Sequence, residues 1–166
     1  MTADEIIDFF GMKPLAEEGG FYVETYRAKE RITNASLPAR YGDNRSLGTA
    51  ILYLLTAEAF SALHRLRSDE VFHFYLGDPV TMLQLHPDGN TEVITLGRDI
   101  FGGENVQVLV PRDTWQGAFV KEGGKFALLG CTVSPGFDKA DYEQGDRDNL
   151  LARYPERRDL ILRLSR

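Results

Sequence analysis

The chain has 166 residues, of which 43% are apolar and 27% charged, and it carries a formal net charge of −6. That length supports one domain with a sizeable core and no covalent staples. An acidic balance without a basic stripe excludes a nucleic-acid partner held through phosphate contacts, and no run approaches the ~20 apolar residues of a membrane span.

The first segment, MTADEIIDFFGM, pairs Thr2 with Glu5 as a capping box and places Ile6, Phe9 and Phe10 on one helical stripe, with Gly11 set to end the helix. It is acidic and has neither the basic start nor the apolar run of a signal peptide, which makes the cytoplasm the expected location. From Phe21 to Val133 the pattern changes. Short runs rich in Val, Ile, Leu, Phe and Tyr alternate with turn signals such as Gly77-Asp78-Pro79, Asp88-Gly89, Gly102-Gly103 and Gly123-Gly124. They predict strands at 20–28, 48–56, 59–65, 70–76, 79–86, 91–96, 106–110, 115–120 and 125–133, with 31–46 as the longest loop. So many short strands without intervening helices predict an antiparallel sandwich or barrel.

SPGF, 134–137, reads as the turn leaving that barrel. Beyond it Asp146 caps a short helix carrying Leu150, Leu151 and Tyr154, and Pro155 opens the next, whose stripe is Leu160, Ile161 and Leu164. The Arg153–Arg163 stretch has Glu156 and Asp159 mixed in and reads as a solvated helix face. The expected organisation is one domain, with an N-terminal helical segment over 1–18, a barrel over 19–137 and C-terminal helices over 138–166. The single cysteine, Cys131, excludes an intrachain disulfide and fits a reducing compartment. Nothing cationic sits beside it in sequence, so it reads as a buried, inert thiol.

Chemistry concentrates in ALHRLRSDEVFHFYLG, 62–77. Strand alternation sends Phe60, Ala62, His64 and Leu66 to one face, and Glu70, Phe72 and Phe74 to one face of the following strand. The RSD turn between them brings His64 and Glu70 together. Burying a histidine and a glutamate among Phe, Leu and Ala without partners costs about 1–3 kcal/mol per unmet group. Either the two satisfy each other in the core, or they face a cavity holding water, ligand or metal. His73 falls on the face opposite Glu70 unless a bulge turns it inward. His86, before Pro87-Asp88-Gly89, reads as an exposed turn residue, and Trp115 as cover for the outside of the sheet or an interface.

This stretch resembles the first motif of the cupin superfamily: a glycine, five residues, His-x-His, three or four residues, a glutamate, six residues and a glycine. His64, Glu70 and Gly77 fall at those spacings, while Leu66 stands at the second histidine and Glu58 at the leading glycine. The second motif is a glycine, five residues, Pro-x-Gly-x-x-His, three residues and an asparagine. VPRDTWQGAFV is similar to it through Pro111, with Asp113 for the glycine, Gln116 for the histidine, Val120 for the asparagine and Asn105 at the leading glycine. Together with GGFYVETYRA and GCTVSPGFD, the chain resembles the cupin-5 subgroup from about Gly19 to the C-terminal helices.

That resemblance implies an all-β jelly-roll barrel, the cupin double-stranded β-helix with short terminal helices, in a homodimer with a small-molecule site at the barrel mouth. Metal-binding cupins place three imidazoles and a carboxylate around Fe, Mn, Ni or Zn; the matching positions here are His64, Leu66, Glu70 and Gln116. A divalent metal, if held, rests on His64, Glu70 and Gln116 alone, and the loss of two strong donors counts against it. Without a metal, His64 as base and Glu70 as its orienter resemble cupins that epimerise nucleotide-linked deoxysugars with a histidine, an acid and a tyrosine. Tyr22, Tyr26 and Tyr75 are the available phenols. Gln116, Phe72, Phe74, His73, Tyr22, Glu24 and Tyr26 are the candidate ligand contacts, and Arg27 and Arg65 read as rim or salt-bridge residues. The resemblance implies three alternative functions: an isomerase- or epimerase-like enzyme on a sugar-derived substrate, a non-catalytic ligand-binding or structural cupin, and a metal-dependent oxygenase or isomerase.

Overall fold

The computed structural model describes residues 1–166. Its strands are β1 (Lys13–Pro14), β2 (Phe21–Arg27), β3 (Arg31–Ile32), β4 (Arg45–Ser46), β5 (Thr49–Thr56), β6 (Ser61–Leu66), β7 (Asp69–Gly77), β8 (Val80–Leu85), β9 (Thr91–Leu96), β10 (Gln107–Val110), β11 (Trp115–Val120), β12 (Phe126–Ser134) and β13 (Tyr142–Gln144). Three helices, α1 (Ala3–Phe10), α2 (Arg147–Arg153) and α3 (Arg158–Leu164), sit at the ends of the chain. All nine predicted strands form. The short pairs β1, β3, β4 and β13 carry too few residues to show an alternating pattern in sequence.

The strands assemble as two antiparallel sheets, one ordered β1-β2-β5-β12-β7-β10 and the other β13-β6-β11-β8-β9. From β5 to β8, and again from β10 to β12, successive strands alternate between the sheets, which is the jelly-roll path. The expected barrel is thus two facing sheets rather than a continuous closed cylinder. Side-chain alternation divides the apolar residues between layers. In β8, Val80 and Met82 join the core between the sheets, while Leu83 and Leu85 point outward beneath α2 and α3. Trp115 lies in that second layer with Leu150, Tyr154, Ile161 and Leu164, so it covers the sheet's outside as expected.

The helix signals hold in detail. Thr2 accepts from the Glu5 N–H and the Glu5 carboxylate accepts from the Thr2 N–H, closing the capping box, and Gly11 ends α1 in the left-handed region. The stripe is narrower than read, because only Ile6 is buried, with Ala3 and Ile7 beside it, while Phe9 and Phe10 are exposed. An eight-residue helix lying on a sheet buries one edge, and both phenylalanines fall beyond it. Asp146 caps α2 through the Asn149 N–H, whereas Pro155 starts a single 3-10 turn before α3.

The C-terminal region expected to be helical also supplies β13, which extends the smaller sheet beyond β6. A buried ion pair fixes its approach. Arg45 donates from Nε and Nη2 to the two oxygens of Asp141, each bond 2.7 Å, with both side chains 2% exposed. This contact joins the 31–46 loop, which holds β3 and β4, to the residue preceding β13. Removing one partner of such a pair leaves a buried uncompensated charge, whereas replacing both does not. We therefore expect Asp141→Asn to lower stability by about 3 kcal/mol in urea denaturation, and Arg45→Met with Asp141→Leu to recover most of that loss. Equal losses in the single and double variants would refute a structural role for the pair.

Candidate functional site

At one end of the sandwich the apolar core stops short and leaves a cavity of about 510 Å³. Its cover is the segment Pro14–Glu18, expected within the N-terminal helical segment over 1–18 but lying beyond the end of α1 and not helical. Gly19 and Gly20, both with positive φ, turn the chain from that segment into β2. A Cβ on Gly19 would stand 2.1 Å from the Phe60 carbonyl oxygen, so glycine is required there. The cover is pinned from below: the Ala62 N–H donates to the Glu18 carbonyl at 2.7 Å, and the Tyr53 hydroxyl to the Gly19 carbonyl at 2.8 Å.

His64 projects into this space from β6 and is 1% exposed. Its Nδ1 lies 2.8 Å from the Ala62 carbonyl oxygen. A carbonyl only accepts, so Nδ1 carries a proton, and in the neutral form of the ring the lone pair is on Nε2. Nε2 makes no hydrogen bond; its nearest carboxylate oxygen is Glu18 Oε2, 3.7 Å away. The Tyr142 ring, on β13, stacks against the imidazole with centroids 5.2 Å apart and planes 20° off parallel.

Glu70 enters from the opposite sheet and is also buried. Gln116 Nε2 donates to its Oε2 at 2.5 Å, leaving Gln116 Oε1 buried without a partner. Burial, followed by the charge of Glu18, pushes the Glu70 carboxyl up to about 7, against the opposing pull of His64, Gln116 and Cys131. Cys131 lines the same space, and burial followed by Glu70 holds its thiol well above the ordinary range. The thiol stays neutral, as the inert reading expects.

His64 and Glu70 thus face one cavity, but each is held by another residue: His64 by Ala62 and Glu70 by Gln116. Tyr22 and Glu24 line the cavity from β2, while Tyr26, after a register shift in β2, is exposed outside it. Phe72 and Phe74 point between the sheets but lie within the apolar core, not on the cavity. His73 is on the outer face, bonded to Thr132 and Gln107. A bulge does occur in β7, but at Tyr75, too late along the strand to turn His73 inward. Tyr75 is exposed on that outer face. His86 is no free turn residue; it is partly buried against Thr114. Arg27 is bonded to Glu24 at the mouth, and Arg65 pairs with Glu143 on the outside.

Sequence reading missed Glu18 and Tyr142. Glu18 stands beside the Gly19-Gly20 turn, a signal that a chain reversal presents its neighbours, and Tyr142 lies on a strand of three residues.

The family's metal positions can be tested against these contacts. Leu66 puts hydrocarbon where a second imidazole would bind, and Gln116 turns its amide nitrogen, which cannot ligate, toward Glu70. No three His, Cys, Asp or Glu side chains converge to hold an ion. The donor set does not fit a metal that needs about four ligands. One feature of the second motif is kept without its residue: Asp113, at the motif's glycine, adopts φ +63°, the left-handed conformation that glycine favours and aspartate tolerates.

Comparison with known proteins agrees with this architecture. Protein SO0799 from Shewanella oneidensis is 34% identical, with a TM-score of 0.87 over 100% of this chain and 98% of that one. A hypothetical protein from Leishmania major is 29% identical, with a TM-score of 0.88 over 99% of both chains. Oxalate decarboxylase from Bacillus subtilis shares the fold alone, at 15% identity and a TM-score of 0.54 over 93% of this chain and 37% of that one. The uncharacterized Saccharomyces cerevisiae protein YML079W is 26% identical over 133 residues, 75% of this chain and 66% of that protein, so the match spans just under two thirds of the relative's length. A family model described as "Cupin superfamily (DUF985)" matches residues 4–145, and with that match the chain belongs to the Cupin_5 branch of the cupin superfamily.

Proposed function

We propose that the chain binds a small polar, sugar-derived molecule in the cavity between Glu18, His64 and Glu70 and moves a proton on it, as an isomerase or epimerase does. The observation that carries this reading is the unbonded Nε2 of His64, fixed as a base by the Nδ1–Ala62 contact and open to a cavity of about 510 Å³. The Ala62 carbonyl orients the ring, which relieves Glu70 of that task. With its carboxyl raised by burial to about 7, Glu70 is suited to give and take back a proton. Nε2 takes the proton from a carbon next to a carbonyl, and the carbonyl oxygen takes the proton of Glu70. Delivery of the imidazole's proton to the other face of that carbon, with the enol proton returned to Glu70, yields an epimer; delivery to the former carbonyl carbon, with the neighbouring hydroxyl's proton passed to Glu70, yields an isomer, with no net gain or loss. Tyr22, whose side chain lines the cavity, is the phenol placed to assist.

Thermal-shift screening against sugars, nucleotide sugars and small hydroxy-carbonyl compounds tests binding, since a ligand at 100 times its Kd adds ~2.7 kcal/mol of stability. Hits incubated in deuterium oxide should gain deuterium at carbon with the wild type, and His64→Ala should slow that exchange by about a hundredfold or more while still folding. A ligand that binds tightly yet gains no deuterium supports the second reading, a cupin that holds its ligand without turning it over. That reading is favoured by the apolar share of the lining, including Leu15, Ile51, Val133 and Phe137.

The buried proton of Glu70 also makes stability depend on pH. Unfolded, the carboxyl has its ordinary value of 4.5; folded, it keeps its proton until about 7. Between those values the folded state binds more protons, so stability falls as pH rises through that window and levels off above it. The loss is on the order of 3 kcal/mol. Glu70→Gln should flatten this segment of the stability–pH curve and be the more stable protein at pH ~8, as read by urea denaturation. Parallel curves for the two proteins would show that Glu70 ionises as freely folded as unfolded.

A further inference from the structure

The charges facing the cavity are unevenly committed. At the mouth, Arg27 is bonded through two nitrogens to Glu24, at 3.0 and 2.6 Å, and through a third to the Phe137 carbonyl. Lys139 is bonded to Glu17 at 2.6 Å. Both cations are therefore neutralised where they stand. Deeper in, Glu18 spends Oε1 on the Ser61 hydroxyl at 2.9 Å, and its Oε2 has no donor. The atom facing it 3.7 Å away is His64 Nε2, an acceptor while Nδ1 holds the ring proton. With the ring neutral, the buried His64 Nε2 and the partly exposed Glu18 Oε2 are two acceptors that face each other 3.7 Å apart in the cavity. Glu70 adds a second carboxyl to the same space, and Tyr22, Phe137 and Tyr142 add aromatic rings.

From this arrangement we infer the charge class of the ligand: it carries an ammonium group that sits on Glu18 Oε2 and donates into the cavity beside His64. The inference rests on the small-molecule reading above and deepens it. An ammonium has three donors and no acceptor, so it meets the carboxylate that lacks a donor. Aromatic rings line the same cavity, and aromatic faces attract cations. An anionic ligand finds no uncommitted cation and adds a negative charge beside Glu18. With the ammonium on Glu18, the carbon next to it comes within reach of His64 Nε2, which points to amino-substituted carbonyl compounds, amino sugars among them, as the substrate class.

The test uses matched triplets, each an amine, an alcohol and a carboxylate on one carbon skeleton, such as glucosamine, glucose and glucuronate, with affinities read by calorimetry on the full chain. We expect the amine to bind about tenfold or more tighter than the alcohol, and the carboxylate to bind most weakly. Glu18→Gln keeps the shape of the side chain and should erase the amine's advantage over the alcohol, the ratio of the two affinities within the variant falling to about one. A carboxylate that binds best, equal affinities across a triplet, or an amine preference that survives Glu18→Gln overturns the inference and leaves the small-molecule reading standing. If no member of any triplet binds, both fall.

Discussion

Near Ala62 the register between β6 and β11 shifts, and the backbone of Ala62 turns to two partners outside that ladder. Its N–H holds the Glu18 carbonyl and its C=O holds His64 Nδ1. One peptide segment therefore pins the cover of the cavity, sets the tautomer of the imidazole and fixes the distance between His64 and Glu18. Everything that the site can do follows from this arrangement, because a side-chain partner on Nδ1 could rotate or titrate and a backbone carbonyl cannot.

The same register explains how the positions that hold the metal in other cupins come to carry different contacts here. Across the smaller sheet Gln144, His64, Gln116 and Gln84 occupy one row of directly opposed positions. His64 keeps the imidazole of that row, while an amide stands at Gln116 in place of another. Gln116 bonds Glu70 across the gap between the sheets, and Leu66 closes the side that a second imidazole would have opened. The result is a carboxyl kept nearly neutral by its surroundings and a base whose lone pair is free. Both groups face the same cavity.

The strands were legible because their apolar residues alternate and their turns carry glycine, proline and aspartate, both local properties of the chain. The capping box of α1 and the Asp146 cap of α2 were legible for the same reason. Phe9 and Phe10 were misplaced because helical periodicity says which residues share a stripe but not how wide an edge the sheet covers. Tyr26 depended on a bulge, which shifts register by one residue and moves a side chain to the opposite face without leaving a mark in the sequence, whereas His73 kept the outward face that plain alternation gives it. Phe72 and Phe74 were assigned to the correct face but the wrong depth, since alternation carries no information on where the core ends and the cavity begins.

By itself the sequence determined the jelly-roll strands, the helix ends and the facing of His64 and Glu70, all consequences of short-range periodicity and motif spacing. The tertiary structure alone decided who their partners are. Glu18 and Tyr142 lie far from His64 along the chain, one on a cover folded back over β6 and the other on a three-residue strand held by the buried Arg45–Asp141 pair. Contacts between residues so distant in sequence arise only once the sheets pack, because no local pattern encodes the distance between two chain segments that meet through the fold.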